Sequence, residues 1–155
     1  MRTKTLIIAI VLILVVAVPM TFATGVGAAF GLPFGGGLPG SNVMLSLRVS
    51  QIPFLMGLGF SIGETESSFG FTGDWWMAKG NLFSFFNYYL GPGFYVGYQN
   101  ELFLGGRLPI GINVYPIKNL ELFLELAPTL AVGIGDAITF PVFGFQSSLG
   151  LRFWF

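Results

Sequence analysis

Residues 119–134, "NLELFLELAPTLAVGI", put Glu121, Phe123, Glu125, Ala127, Thr129 and Ala131 on odd positions, and Leu120, Leu122, Leu124, Leu126, Leu130 and Val132 on even ones. Successive side chains of a β-strand point to opposite faces, whereas a helix would scatter these two sets around its circumference. Alternation sustained this long commits the segment to a strand with one apolar face and one face that carries charge.

The same rhythm recurs along the chain. After Arg107, "RLPIGINV" sets Arg107, Pro109, Gly111 and Asn113 against Leu108, Ile110, Ile112 and Val114. The last segment, "PVFGFQSSLGLRFWF", sets Gly144, Gln146, Ser148, Gly150 and Arg152 against Phe143, Phe145, Leu149, Leu151, Phe153 and Phe155, with Ser147 as the one weak outward residue. "NVMLSLRVS" turns Asn42, Ser46 and Arg48 one way, "FLMGLGFSI" does so with Gly57, Gly59 and Ser61, and "GVGAAFGLPF" with Gly25, Gly27, Ala29 and Gly31. Two middle segments alternate less cleanly. "SFGFTGDWWM" places Gly70, Thr72 and Asp74 inside, and "NLFSFFNYYLGPGFYVGYQ" places Phe83, Asn87, Gly91, Gly93 and Gly97 inside. If Gly91-Pro92-Gly93 is a bulge there are eight strands; if it is a turn, the count and register change.

The apolar faces are too numerous for a water-soluble sandwich. The chain is 54% hydrophobic and 9% charged, against about 25% charged in an ordinary soluble domain. After residue 23 no apolar run reaches the roughly 18 residues of a helical span. Residues 1–23, with Arg2 and Lys4 before the apolar run from Leu6 to Val18 and small residues up to Ala23, read as a secretory signal peptide cut after Ala23. An exported chain of this composition satisfies its backbone in lipid as a closed barrel. The expectation is therefore an all-β fold, an eight-stranded antiparallel up-and-down transmembrane β-barrel over residues 24–155, in the bacterial outer membrane. Its partners would be outer-membrane lipids. A monomer is expected, without nucleic acid.

Connections orient the barrel. "SQIP", "AKGN" and "YPIKN" are short; "GGGLPGS", "GETESS", "QNE" and "GDAITF" hold Glu64, Glu66, Glu101 and Asp136. Short periplasmic turns and longer outer loops are the outer-membrane pattern.

Six charged residues fall on the inner faces: Arg48, Asp74, Arg107, Glu121, Glu125 and Arg152. In a barrel just wide enough for its own side chains, unpaired charges would be costly. A buried ion-pair network is expected, Glu125 with Arg107 and Glu121 with Arg152 or Arg48, giving a plugged lumen. Glu121 and Glu125 lie about 13 Å apart along a strand, too far to act on one bond. The chain has no histidine to activate Ser147 or Ser148 and no cysteine, so catalysis, a cofactor and a metal are not expected. The alternative function is binding or transport of a small hydrophobic molecule through an outward-opening cup or a lateral gap. Small inner residues toward the outer end would line the cup, with Trp76, Phe83, Phe123 and Trp154 filling the periplasmic end. Pro92, Pro109, Pro128 and Pro141 would weaken a seam of the wall.

The stretch "GGRLPIGINVYPIKNLELFLELAPTL" and the final "LGLRFWF" resemble a family of small, largely uncharacterised spirochaete outer-membrane β-barrel proteins. The overall plan looks like OmpA- and OmpX-type barrels. The likeness covers roughly residues 105–129 and the terminus, and elsewhere is architectural. With the plugged lumen and the absence of histidine, the expected role is non-enzymatic, structural or in surface interaction. Host or surface proteins are a further implied partner, although the short loops carry no motif for such contacts. A terminal strand with Leu151, Phe153 and Phe155 on one face also looks like the signal read by the outer-membrane barrel assembly machinery.

Overall fold

Among the described residues, eleven strands form where the sequence alternates. The computed structural model describes residues 23–32, 38–40, 42–62 and 67–155. Apart from Ala23, the expected signal peptide lies outside the described residues, as do Glu64 and Glu66. The strands are β1 (Ala23–Gly31), β2 (Val43–Val49), β3 (Leu55–Ile62), β4 (Ser67–Asp74), β5 (Ala78–Phe83), β6 (Phe86–Leu90), β7 (Gly93–Gln99), β8 (Glu101–Arg107), β9 (Ile110–Ile117), β10 (Leu120–Ile134) and β11 (Ile138–Trp154). No helix occurs among the described residues, and all pairings in the single sheet are antiparallel.

The sheet order runs β11-β1-β2-β3-β4-β7-β8-β10, and β10 pairs back onto β11. Beside β10 the sheet also continues through β9 and β6 to β5, which ends it. The result is a partial ring. It returns on itself at the level of β7 and β8 and stops at the edge of β5 below them.

Three short interruptions explain why there are eleven strands. Thr129↔Arg107 in the β10–β8 pair continues in step to Leu126↔Ile110 in the β10–β9 pair, across Leu108 and Pro109. Gly93↔Arg107 likewise continues to Leu90↔Ile110, across Gly91 and Pro92. Between Asp74↔Gly93 and Ala78↔Leu90 one extra residue is inserted, a bulge at residues 75–77. Each break keeps one ladder bond onto a proline carbonyl: Trp75 N–H to Pro92 at 2.9 Å, Gly91 N–H to Pro109 at 3.3 Å, and Leu108 N–H to Pro128 at 2.9 Å. The proline breaks thus step across neighbouring strands. A gap that let a molecule slip sideways would need consecutive bonds missing between the same two strands. The breaks at Pro92, Pro109 and Pro128 form a belt of single interruptions, and the unpaired edge of the sheet is that of β5.

Several connections differ from expectation. "AKGN" is not a turn: the bulge carries the chain onward as β5, and the turn falls at Ser84 and Phe85, with Ser84 at φ 51°. Asn81 Nδ2 closes it by donating to the carbonyls of Ser84 (2.9 Å) and Phe86 (3.2 Å). Phe83 therefore sits exposed at a hairpin tip instead of filling the interior. Ile138, Thr139 and Phe140 belong to β11, so the last loop is shorter than "GDAITF". The connection expected at "QNE" is a turn at Asn100, with φ 61°, between β7 and β8.

Burial follows parity. In β10 the odd residues Glu121 to Gly133 are buried, while the leucines opposite are partly or fully exposed. Ser147 keeps the outward parity of its register partner Leu126 but is covered there: Leu32 N–H donates to its carbonyl at 2.8 Å and its hydroxyl donates to Leu32 O at 3.3 Å. The terminus is paired as expected. Gly25↔Trp154 to Gly31↔Ser148 join β1 to β11, and Phe155 N–H donates to Thr24 O at 3.0 Å.

Candidate functional site

The inner face carries a charged cluster at the level of the three interruptions. Arg107 closes β8, Asp74 closes β4, and both are register partners of Gly93 on β7. A Cβ on Gly93 would strike the Asp74 carboxylate and lie 3.0 Å from Arg107 Cγ. Glycine there leaves the channel through which the two side chains meet across the intervening strand. Arg107 Nε lies 3.2 Å from Asp74 Oδ1; the two are close as an ion pair but not aligned as a hydrogen bond. The other guanidinium nitrogens are better satisfied. Nη2 binds Glu125 Oε1 at 2.7 Å, and Nη1 donates to Gln146 Oε1 at 2.8 Å.

Arg152 forms the second centre. Its partner across β10–β11 is Glu121, and Nη1 meets Glu121 Oε1 at 3.1 Å, while Nη2 stands 3.9 Å from Glu125 Oε2. Nε donates to Ser46 Oγ at 2.9 Å, and the guanidinium carbon lies 3.6 Å from the centre of the Phe123 ring. A cation over an aromatic face in a dry setting is favourable. Glu121 is fully buried and, besides Arg152, accepts from Asn113 Nδ2 at 2.6 Å and from Trp154 Nε1 at 2.8 Å. Glu125 also accepts from the Tyr89 hydroxyl at 2.8 Å. Two buried carboxylates each held by an arginine and neutral donors meet the requirement for charge in a low-dielectric interior.

Of the six inner charges, five join in this network. Arg48 does not: it makes no ion pair within 4.0 Å with a described residue and lines a cavity nearer the β2–β3 turn. Among the described residues no group of His, Cys, Asp or Glu is arranged to hold a metal ion.

The two ends of the interior differ. At the end of the β1–β2 and β7–β8 connections, Leu38 is buried against Tyr95 and Ala131, with Phe103 and Val142 beside them. Tyr95 donates to Pro39 O at 2.8 Å, and Gly40, at φ 72°, donates from its N–H to Ser68 Oγ at 2.8 Å. Of the small residues expected to line an outward cup, Gly59 and Gly70 receive this segment: a side chain on Gly59 would run into Gly40, and one on Gly70 would lie 3.1 Å from Pro39 O. Trp76, Phe123 and Trp154 do lie at the other end, Trp76 stacked on Tyr89 with centroids 4.2 Å apart.

Beneath them is a cavity of about 590 Å³. Arg48, Pro53 and Leu55 line it on one side and Lys79, Gly80 and Asn81 on the other, where β5 leaves the ring open. Sequence reasoning missed Lys79. The bulge at residues 75–77 reverses the facing of β5, so its odd positions Lys79 and Asn81 turn inward, whereas in β4 the even ones do; the only signal was the paired tryptophan interruption.

No family model, curated protein or solved structure matches the chain. The likeness to spirochaete barrels rests on the quoted stretches alone.

Proposed function

We propose that the chain is a non-enzymatic, integral outer-membrane β-barrel with a plugged, ion-paired interior, serving a structural or surface-interaction role. The observation that carries this reading is the inversion of the usual order: Arg107, Arg152, Asp74, Glu121 and Glu125 are buried, while Phe30, Leu104, Leu122, Leu126, Phe143 and Leu149 face outward and are exposed. Water would penalise that surface, and lipid would not. Register continuity through the three interruptions supports counting β4 with β5, β6 with β7, and β8 with β9, which gives eight strands. Residues 50–54, Ser84–Phe85 and Lys118–Asn119 would then be the short periplasmic turns, and the Leu38–Gly40 segment would face outward. Phe153 and Phe155, with rings 5.2 Å apart, would sit in the periplasmic aromatic girdle, where the assembly machinery could read them with Leu151.

The catalytic reading gains nothing from the inner carboxylates, which are occupied by Arg107 and Arg152. The test is refolding into detergent micelles and vesicles. The expected result is β-rich circular dichroism, a gel band that shifts on boiling, and protease-protected fragments in vesicles. A chain that stays monomeric and soluble without detergent would overturn the reading.

A further inference from the structure

We infer that the cavity between β5 and the β2–β3 turn is a binding site for a small, hydroxyl-bearing anion of the sugar-phosphate or sugar-acid kind, free or as the headgroup of a lipid. Its size, about 590 Å³, falls in the range of about 300–1,000 Å³ usual for small-molecule sites.

Three observations converge on it. First, charge is unbalanced toward this mouth. From the ion network down to it, Arg48, Lys79, Arg107 and Arg152 stand against Asp74, Glu121 and Glu125. The carboxylates are engaged with Arg107 and Arg152, which leaves Arg48 and Lys79 without an acidic partner among the described residues. Asp74 also lines the cavity, but Arg107 holds it at 3.2 Å. An anion entering here meets two uncommitted cations, one of them a guanidinium with the fork that suits phosphate or carboxylate.

Second, the wall holds polar capacity with nothing to use it. Asn113 is 5% exposed and its Oδ1 accepts no hydrogen bond, although its Nδ2 is bound to Glu121; Trp76 Nε1 is buried and donates to nothing. Both residues line the cavity. A buried orphan acceptor and a buried orphan donor cost stability unless something completes them. Both atoms are closed to solvent, so a hydroxyl group, which donates and accepts, completes them only as a small shift of the Asn113 amide and the Trp76 ring turns them to the cavity.

Third, the rest of the lining is amphipathic. Tyr115 and Trp154 offer ring faces, and Asn87 and Asn81 lie 3.2 Å apart as an amide pair. Rings against the C–H faces of a sugar, amides against its hydroxyls and cations against its charge divide the ligand as this wall is divided.

The site does not depend on the membrane reading; where that reading holds, the mouth opens to the periplasm beside the inner leaflet's headgroups. The experiment uses the refolded full chain in neutral detergent, its boiled-versus-unboiled gel shift serving as the separate check on the barrel. Tryptophan emission is titrated with glucose 6-phosphate, glucuronate, glucose and inorganic phosphate. The expected result is saturable change with the first two, at least tenfold tighter than with glucose or phosphate alone. Arg48→Gln and Lys79→Gln each weaken binding about five- to tenfold, and the double variant abolishes saturation. Glu101→Gln, at the opposite mouth, leaves it unchanged. Vesicles of phosphatidylglycerol, compared with phosphatidylcholine, distinguish the sources: competition by the anionic vesicles alone assigns the site to a headgroup, and its absence to a free ligand. Equal response to glucose and glucose 6-phosphate overturns the proposal, as does equal affinity for phosphate alone or no saturable response to any of the four. The wild-type selectivity decides the matter even where a variant fails to fold.

Discussion

At one mouth of the ring the β1–β2 connection turns inward and seats Leu38 and Pro39 among Tyr95, Ala131 and Gly97; at the other, Arg48 and Lys79 line a cavity of about 590 Å³. The walls at the first mouth are glycine and alanine, so space is created by missing side chains and filled by a returning loop whose donors and acceptors find Ser68 and Tyr95. The walls at the second are large and end in amides, hydroxyls and charges. Groups of that kind resist close packing unless each finds a partner, so that mouth stays open. The ion network between the two mouths belongs to neither.

The sharpest way to break this contrast is to remove what both mouths rest on. Arg107→Leu leaves Asp74 and Glu125 facing each other without their shared cation, and a buried pair broken on one side costs about 3–5 kcal/mol. Urea unfolding of the refolded protein, followed by tryptophan emission, should show a loss of that size; a change under about 1 kcal/mol would mean that the interior is wetter than its burial implies. Leu38→Ala comes next. It empties the packing against Tyr95 and Ala131 and should cost about 2–3 kcal/mol, at the low end for a buried leucine because a loop can partly collapse. Planar-bilayer recordings should still find no conductance in this variant. A new steady current would place the barrier at Leu38 instead of at Arg107 and Glu125.

Much of this arrangement was written in the two-residue rhythm. Strand faces, the inward set from Glu121 to Arg152 and the β1–β11 closure come from parity, because a one-residue slip would turn every leucine of β10 inward. The pairing of Glu121 with Arg152 is a direct cross-strand neighbour relation. What parity could not show lies where the rhythm breaks. Arg107 reaches Asp74 across a whole strand only because Gly93 lacks a side chain, a relation between three strands that no single segment records. The bulge at residues 75–77 reverses the facing of Lys79 and Asn81, and with it moves the turn from "AKGN" to Ser84 and Phe85. Leu38 was read as part of an outer loop, since local sequence does not say whether a Gly- and Pro-rich connection folds over a mouth or into it.

The mildest test compares two tryptophans of the open mouth. Trp154 Nε1 donates to Glu121 at 2.8 Å, while Trp76 Nε1 is buried without an acceptor. Trp154→Phe removes a donor from a fully buried carboxylate and should cost about 1–2 kcal/mol, close to the penalty for leaving a charged group short of a partner. Trp76→Phe keeps a ring on Tyr89 and discards a buried donor that has no acceptor, so lost packing and relieved desolvation offset each other. Its cost should stay under about 1 kcal/mol. Adding glucose 6-phosphate then sharpens the comparison. If the orphan donor is completed by ligand, wild-type stability rises with concentration more than that of Trp76→Phe, because binding to the folded state alone stabilises in proportion to affinity. Identical ligand-induced shifts in the two proteins would leave Trp76 Nε1 as a packing defect, and the hydroxyl contact would have to be sought at Asn113.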